Sequence, residues 1–155
     1  MHSLLKVSDA VNLAMHASAI LASEPEKLMA ARELATRLDA SEATLSKAMQ
    51  QLVRASLVTS TRGPAGGFRL ARDPARIKLK SIVEAIEGPL AAPECLFGRR
   101  LCDRDECLLG DTLGRAHRML EERLETMTLD RVPISLIRRS SGRPTKRSTR
   151  RKKGR

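Results

Sequence analysis

The chain has 155 residues, a formal charge of +11, 41% hydrophobic residues, three cysteines and neither tryptophan nor tyrosine. That length suffices for one compact domain with an appendage and no disulfide staples, and no apolar run approaches the roughly 18 residues of a membrane span. Met1 to Ser23 lacks the basic start and small-residue cleavage site of a secretory signal, so the expectation is a cytoplasmic, reducing setting in which clustered thiols are ligands or redox centres.

Residues 7–23, VSDAVNLAMHASAILAS, are apolar nearly all round a helix, which predicts burial by other elements or by a second subunit. Asp9, Asn12 and His16 form one polar stripe, with Asp9 and His16 about 20° apart in projection; its plain reading is a solvated face. After the Glu24-Pro25-Glu26 break, residues 27–38 read as a helix with Leu28, Ala31, Leu34, Ala35 and Leu38 on one face. Asp39-Ala40-Ser41 makes a tight turn into SEATLSKAMQQLVRA, where Ser41 is a candidate N-cap and Leu45, Ala48, Met49 and Leu52 are the buried stripe. Two short helices so joined, the second with Ser, Thr, Lys and Gln outward, make a helix-turn-helix pattern.

LVTSTRGPAGGFRLAR then alternates over Leu57 to Arg62 and Phe68 to Arg72 around a Gly/Pro-rich tip, which predicts a β-hairpin wing flanked by Arg62 and Arg69. Gly63, Gly66 and Gly67 do not make a nucleotide-phosphate loop, because no Lys-Ser/Thr follows them and a strand rather than a helix comes next. Residues 43–80 hold eight bases (Lys47, Arg54, Arg62, Arg69, Arg72, Arg76, Lys78, Lys80) against one acid, Asp73, a candidate polyanion surface. Ile77 and Leu79 suggest a short strand or turn, Ser81-x-x-Glu84 a capping box, and Gly88-Pro89 the end of the helix SIVEAIE.

All three cysteines, Cys95, Cys102 and Cys107, lie in ECLFGRRLCDRDEC with C-x6-C-x4-C spacing, one ligand short of a closed four-donor site. Residues 111–129 place Leu113, His117, Leu120, Leu124 and Met127 at alternating four- and three-residue steps, the seam of a pairing helix. A histidine among leucines is ordinarily a packed residue, though His117 is a possible ligand. From Arg138 onward there are ten Lys or Arg and no acid, leaving residues 1–137 with 19 bases against 18 acids. A tail of that composition is expected to be disordered and to add salt-sensitive, sequence-independent affinity for nucleic acid. The sequence contains no H-E-x-x-H, nucleophile elbow or acid/base pair, so no enzyme is expected. For the cysteines, iron-sulfur binding competes with structural zinc, a thiol-based redox sensor and inert thiols.

Taken together, residues 3–132 resemble the Rrf-two family of bacterial transcription regulators. The most specific stretch, LVTSTRGPAGGFRLARDPARIKLKSIVEAIEGP, is similar to the family's wing and following helix, and SDAVNLAMHASAILA to its first helix. The resemblance implies a mainly α fold with a small β-hairpin wing: a winged helix-turn-helix domain over 1–90, a cysteine loop over 91–110, a dimerisation helix over 111–132 and a basic tail over 133–155. It implies a homodimer on double-stranded DNA, contacted through Ser41, Thr44, Ser46, Lys47 and Gln50 of the recognition helix and Arg62, Gly63, Pro64 and Arg69 of the wing. Ala43 and Ser46 depart from the polar and acidic residues of some relatives, so no operator sequence carries over. It further implies that Cys95, Cys102 and Cys107 hold a 2Fe-2S or 4Fe-4S cluster, with Asp9 of the partner subunit as fourth ligand. His16 and His117 are reserves; the histidine that some relatives place shortly after the third cysteine is absent, the third residue after Cys107 being Gly110. The function so implied is a repressor whose DNA affinity follows a labile cluster sensing nitric oxide, redox state or iron supply.

Overall fold

The first helix, α1 (Asp9–Ser23), starts at a capped end: the Val11 N–H donates to Ser8 Oγ at 3.2 Å. Its second half is enclosed, with Ala14, Ala17, Ser18, Ala19, Ile20 and Leu21 all buried. It packs against α2 (Ala31–Leu38), α3 (Glu42–Arg54) and α4 (Leu79–Glu87), so the all-round apolarity of that half is met by the chain's own elements. The computed structural model describes residues 7–92, 95, 109 and 111–133.

α2 and α3 form the expected helix-turn-helix. α2 ends at Asp39, whose φ of 51° places it in the left-handed region, and Ala40 N–H donates to the Ala35 carbonyl at 3.0 Å. Leu45, Ala48, Met49 and Leu52 of α3 are buried against α1 and α2 as their spacing requires. Ser41 occupies the N-cap position, but its side chain makes no capping hydrogen bond.

The helix expected from residue 27 begins only at Ala31. Met29 is instead drawn into sheet-type pairing with the wing: its N–H donates to the Phe68 carbonyl at 3.0 Å, and Phe68 N–H donates to the Met29 carbonyl at 2.8 Å. Met29 is fully buried there, and this tertiary pairing outweighs the local helical pattern. The hairpin itself is shorter than its alternation suggests. β1 (Val58–Thr61) runs antiparallel to β2 (Gly67–Leu70), with Val58 opposite Leu70 and Thr61 opposite Gly67. Gly67 is required by proximity, because a Cβ there would lie 2.6 Å from the Met29 backbone carbonyl.

A second correction concerns Ser81. α4 begins at Leu79 with Lys78 as N-cap, so Ser81 lies inside the first turn and forms no capping box with Glu84. The earlier start follows from what precedes it. After the 3-10 turn Pro74–Arg76, the segment at Ile77 and Leu79 pairs with the chain leaving the last helix: Leu79 N–H donates to the Met127 carbonyl at 3.0 Å, and Leu129 N–H to the Ile77 carbonyl at 2.9 Å. Ile77 and Leu129 are both buried at this seam. α4 ends at Gly88, φ 85°, as Gly88-Pro89 predicts.

That last helix, α5 (Thr112–Thr126), stops short of residue 129 because Met127 to Leu129 leave it for this pairing, followed by the 3-10 turn Leu129–Arg131. The fold is thus mainly helical, five α-helices and one two-stranded hairpin among the described residues, a winged helix-turn-helix as expected. Gly67→Ala should cost about 1–3 kcal/mol by overpacking against Met29; urea unfolding of the two proteins measures it, and equal midpoints would show that the wing is not seated as described.

Candidate nucleic-acid interface

The burial of Leu45, Ala48, Met49 and Leu52 turns the opposite face of α3 to solvent. Ser41, Thr44, Lys47 and Gln50 are exposed and Ser46 is half-buried. Arg54, counted in the sequence among the bases of residues 43–80 but not among the recognition-helix contacts, is also exposed, and its spacing from Lys47 and Gln50 places all three on one stripe. At the hairpin, Arg62, Gly63, Pro64 and Arg69 are exposed; Arg62 follows the last residue of β1, and Arg69 sits opposite Thr59 on the outward face. The turn between them is tight. A Cβ at Gly66 would lie 2.2 Å from the Thr61 carbonyl oxygen, and Gly63 has a φ of 111°.

Among the described residues, Lys47, Arg54, Arg62 and Arg69 have no acidic partner within ion-pair distance. The eight bases of residues 43–80 do not all belong to this surface, however. Lys78 and Lys80 turn to α5: Lys78 pairs with Glu125, and Lys80 Nζ lies 2.8 Å from Glu121 Oε1, 3.8 Å from Glu125 Oε2 and 3.9 Å from Glu84 Oε1. The hydrogen bond from Lys80 holds the Glu121 carboxyl below its ordinary 4.5, that from Lys78 does the same for Glu125, and Glu121 in turn raises Lys80 above 10.5. The acids of residues 84–130 are therefore partly consumed as fasteners for α5.

The expected pairing seam of α5 faces a groove of about 500 Å³ between α1, α4 and α5, lined by Val7, Val11, Met15, Val83, Leu120 and Leu124 with His117 at its side. His117 Nε2 lies 3.6 Å from Glu121 Oε2. Along α1, Asp9 and Asn12 are exposed, while His16 is half-buried and donates from Nδ1 to the Asn12 carbonyl at 2.8 Å. Of the cysteines, Cys95 is half-buried; Cys102 and Cys107 lie outside the described residues, as does Gly110. Among the described residues no group of three His, Cys, Asp or Glu gathers closely enough to hold a metal ion, and no helix is long and apolar enough to cross a membrane.

A winged helix-turn-helix with an unpaired basic face, followed by a cysteine segment and a further helix, matches known proteins. The family model Rrf2, an iron-dependent transcriptional regulator, covers residues 7–133. The chain belongs to the Rrf2 family. The Rrf2 chain is similar to Protein aau3 of Rhizobium meliloti, 33% identical over 81% of this chain and 83% of that protein. A shorter match is to the putative HTH-type transcriptional regulator BadM of Rhodopseudomonas palustris, 40% identical but spanning only 43% of each chain. Among solved structures, CymR, the global cysteine regulator of B. subtilis, is 27% identical with a TM-score of 0.67 over 81% of this chain and 94% of that one. IscR of T. potens is 30% identical with a TM-score of 0.63, covering 81% of this chain and 85% of that one. Rrf2 proteins are DNA-binding transcriptional regulators, and this chain is one of them.

Because Glu121 and Glu125 titrate lower when paired than when released, their hold on α5 is present above pH 4.5 and lost as the pH falls below it. The protection of α5 amides, taken from hydrogen exchange after division by the intrinsic rate at each pH, should fall on acidification through that range, and Glu121→Gln should show lower protection already at neutral pH; unchanged protection would mean that these pairs do not fasten the helix.

Proposed function

We propose that this Rrf2 regulator is a homodimeric repressor whose grip on an operator depends on an iron-sulfur cluster. The observation that carries the DNA-binding half is the exposed stripe of Lys47, Gln50 and Arg54 on α3 together with Arg62 and Arg69 on the wing, whose four cations have no ion-pair partner among the described residues. Ser41, Thr44 and Ser46 flank it, and Gly63 and Pro64 shape the tip that carries Arg62 into a groove. The basic tail over 133–155 adds sequence-independent affinity.

Dimerisation is supported by exposed apolar surface. Val7 is 62% exposed and Leu120 47%, and both line a groove that α1, α4 and α5 leave apolar; Met119, 71% exposed, adds apolar surface elsewhere on α5. In this reading α5, within 111–132, is the helix that meets a second copy, and the winged domain over 1–90 reads one half-site per subunit.

The donor set fits an iron-sulfur cluster by its chemistry. Three soft thiolates, Cys95, Cys102 and Cys107, fall within thirteen positions, and Asp9 stands exposed on the first turn of α1, open to a second copy. The thiolates supply affinity, and a harder carboxylate from the other subunit makes the set complete only in the dimer. When bound, the cluster supplies an iron site open to nitric oxide, oxygen or iron loss. Structural zinc and a thiol-based sensor are the competing uses of the same cysteines. The known relatives include a regulator of cysteine as well as an IscR. The chain's residues are read as regulatory rather than enzymatic, in a cytoplasmic setting.

Anaerobic reconstitution with iron and sulfide should give a coloured protein whose visible absorbance is lost in Cys95→Ser. A colourless product removes the cluster, and stoichiometric zinc in its place identifies the structural-metal use. Arg62→Ala should weaken binding to an operator fragment by about 1–3 kcal/mol in a fluorescence titration if its guanidinium enters a groove; unchanged affinity would remove the wing from the interface.

A further inference from the structure

The outward stripe of α3 contains one residue unlike the rest. At about 100° per residue, Ala43, Lys47, Gln50 and Arg54 fall within about 60° of arc, directly opposite the buried stripe of Leu45, Ala48, Met49 and Leu52. All four are exposed. Three are long and polar; the fourth, Ala43, is a methyl group at the centre of the face in the first turn of the helix, the end that approaches base edges in helix-turn-helix docking.

A short side chain at that place has two physical consequences. It lets the first turn of α3 approach the floor of a major groove more closely than a long side chain would. It also offers that floor no donor or acceptor. Guanine, cytosine and adenine present polar atoms there, which an alanine Cβ would desolvate without repayment. The thymine 5-methyl group is the one major-groove feature that gains from apolar contact. Lys47 and Gln50, one and two turns further along the same stripe, carry the chemistry suited to purine edges: lysine to guanine O6 and N7, glutamine bidentate to adenine N6 and N7.

We propose that Ala43 is a specificity-determining residue that reads a thymine 5-methyl group in each half-site, beside purine contacts made by Lys47 and Gln50. This rests on the reading that α3 enters the major groove. It goes beyond that reading in naming the base and the group recognised.

The test uses the full-length protein and two steps. Selection from a randomised double-stranded DNA library yields a binding site; each thymine in it is then replaced singly by deoxyuridine, which removes only the 5-methyl group. Wild type should lose about four-fold in affinity at one thymine per half-site, the equivalent of one buried methyl. Ala43→Gly should bind the two duplexes equally at that position while its preference elsewhere is kept. Selection without enrichment would refute sequence-specific binding itself. An enriched site in which no thymine methyl matters, or in which Ala43→Gly loses as much as wild type on its removal, would overturn the role of Ala43 alone.

Discussion

The enclosure of the second half of α1 is the constraint on which the rest of the architecture depends. Ala14, Ala17 and Ala19 are small, so the neighbouring elements can approach closely, while Ile20 and Leu21 fill the space between them. α3 and α4 both pack on this helix and on each other, and β2 and the turn after α5 also touch it. The positions of α3, β2 and the turn after α5 are thereby referred to a single element. The first half of the same helix is built differently. There Val11 and Met15 rim the apolar groove, while Asp9 and Asn12 stay in solvent. One helix thus serves as core at one end and as presentation surface at the other.

Charge is sorted by use rather than by position in the chain. Glu24, Lys27, Glu33 and Arg37 form a closed cluster that ties the loop after α1 to α2, with Arg37 Nη1 2.7 Å from Glu24 Oε1 and Nη2 2.8 Å from Glu33 Oε1. Lys78 and Lys80 are neutralised by the acids of α5. Pairs this exposed add little stability individually. Their larger effect is to take Lys27, Arg37, Lys78 and Lys80 out of circulation, whereas Lys47 and Arg54 on α3 and Arg62 and Arg69 at the hairpin have no ion-pair partner among the described residues.

Much of the fold was legible because its signals are periodic. The stripes of α1, α3 and α5 and the alternation of the hairpin follow from spacing alone. What local pattern could not supply were the long-range backbone pairings. Residues 27–30 continue the apolar rhythm of α2, so nothing nearby reveals that Met29 bonds Phe68. Ser81 and Glu84 have the spacing of a capping box, but the pairing of Ile77 and Leu79 with residues 127–129 starts the helix earlier. For the interface, exposure of Ser41, Thr44, Lys47, Gln50 and Arg62 was readable from the helical wheel and the turn. The diversion of Lys78 and Lys80 was not, since their partners lie on a helix some forty positions away. Of the three cysteines, Cys95 is the one within the described residues, and it is half-buried.

The seating of β2 between β1 and Met29 also governs how the molecule meets its own kind. A small sheet ordinarily has two open sides, each a template for adding a strand from another chain. Here one flank of β2 is occupied by β1 and the other by the Met29 bridge, so the open side belongs to β1. That margin is four residues long and reads Val58, Thr59, Ser60, Thr61, brief and mostly hydroxylated. The hairpin therefore offers neighbouring molecules only a short, mostly hydroxylated ribbon, a poor template for fibre-like self-association.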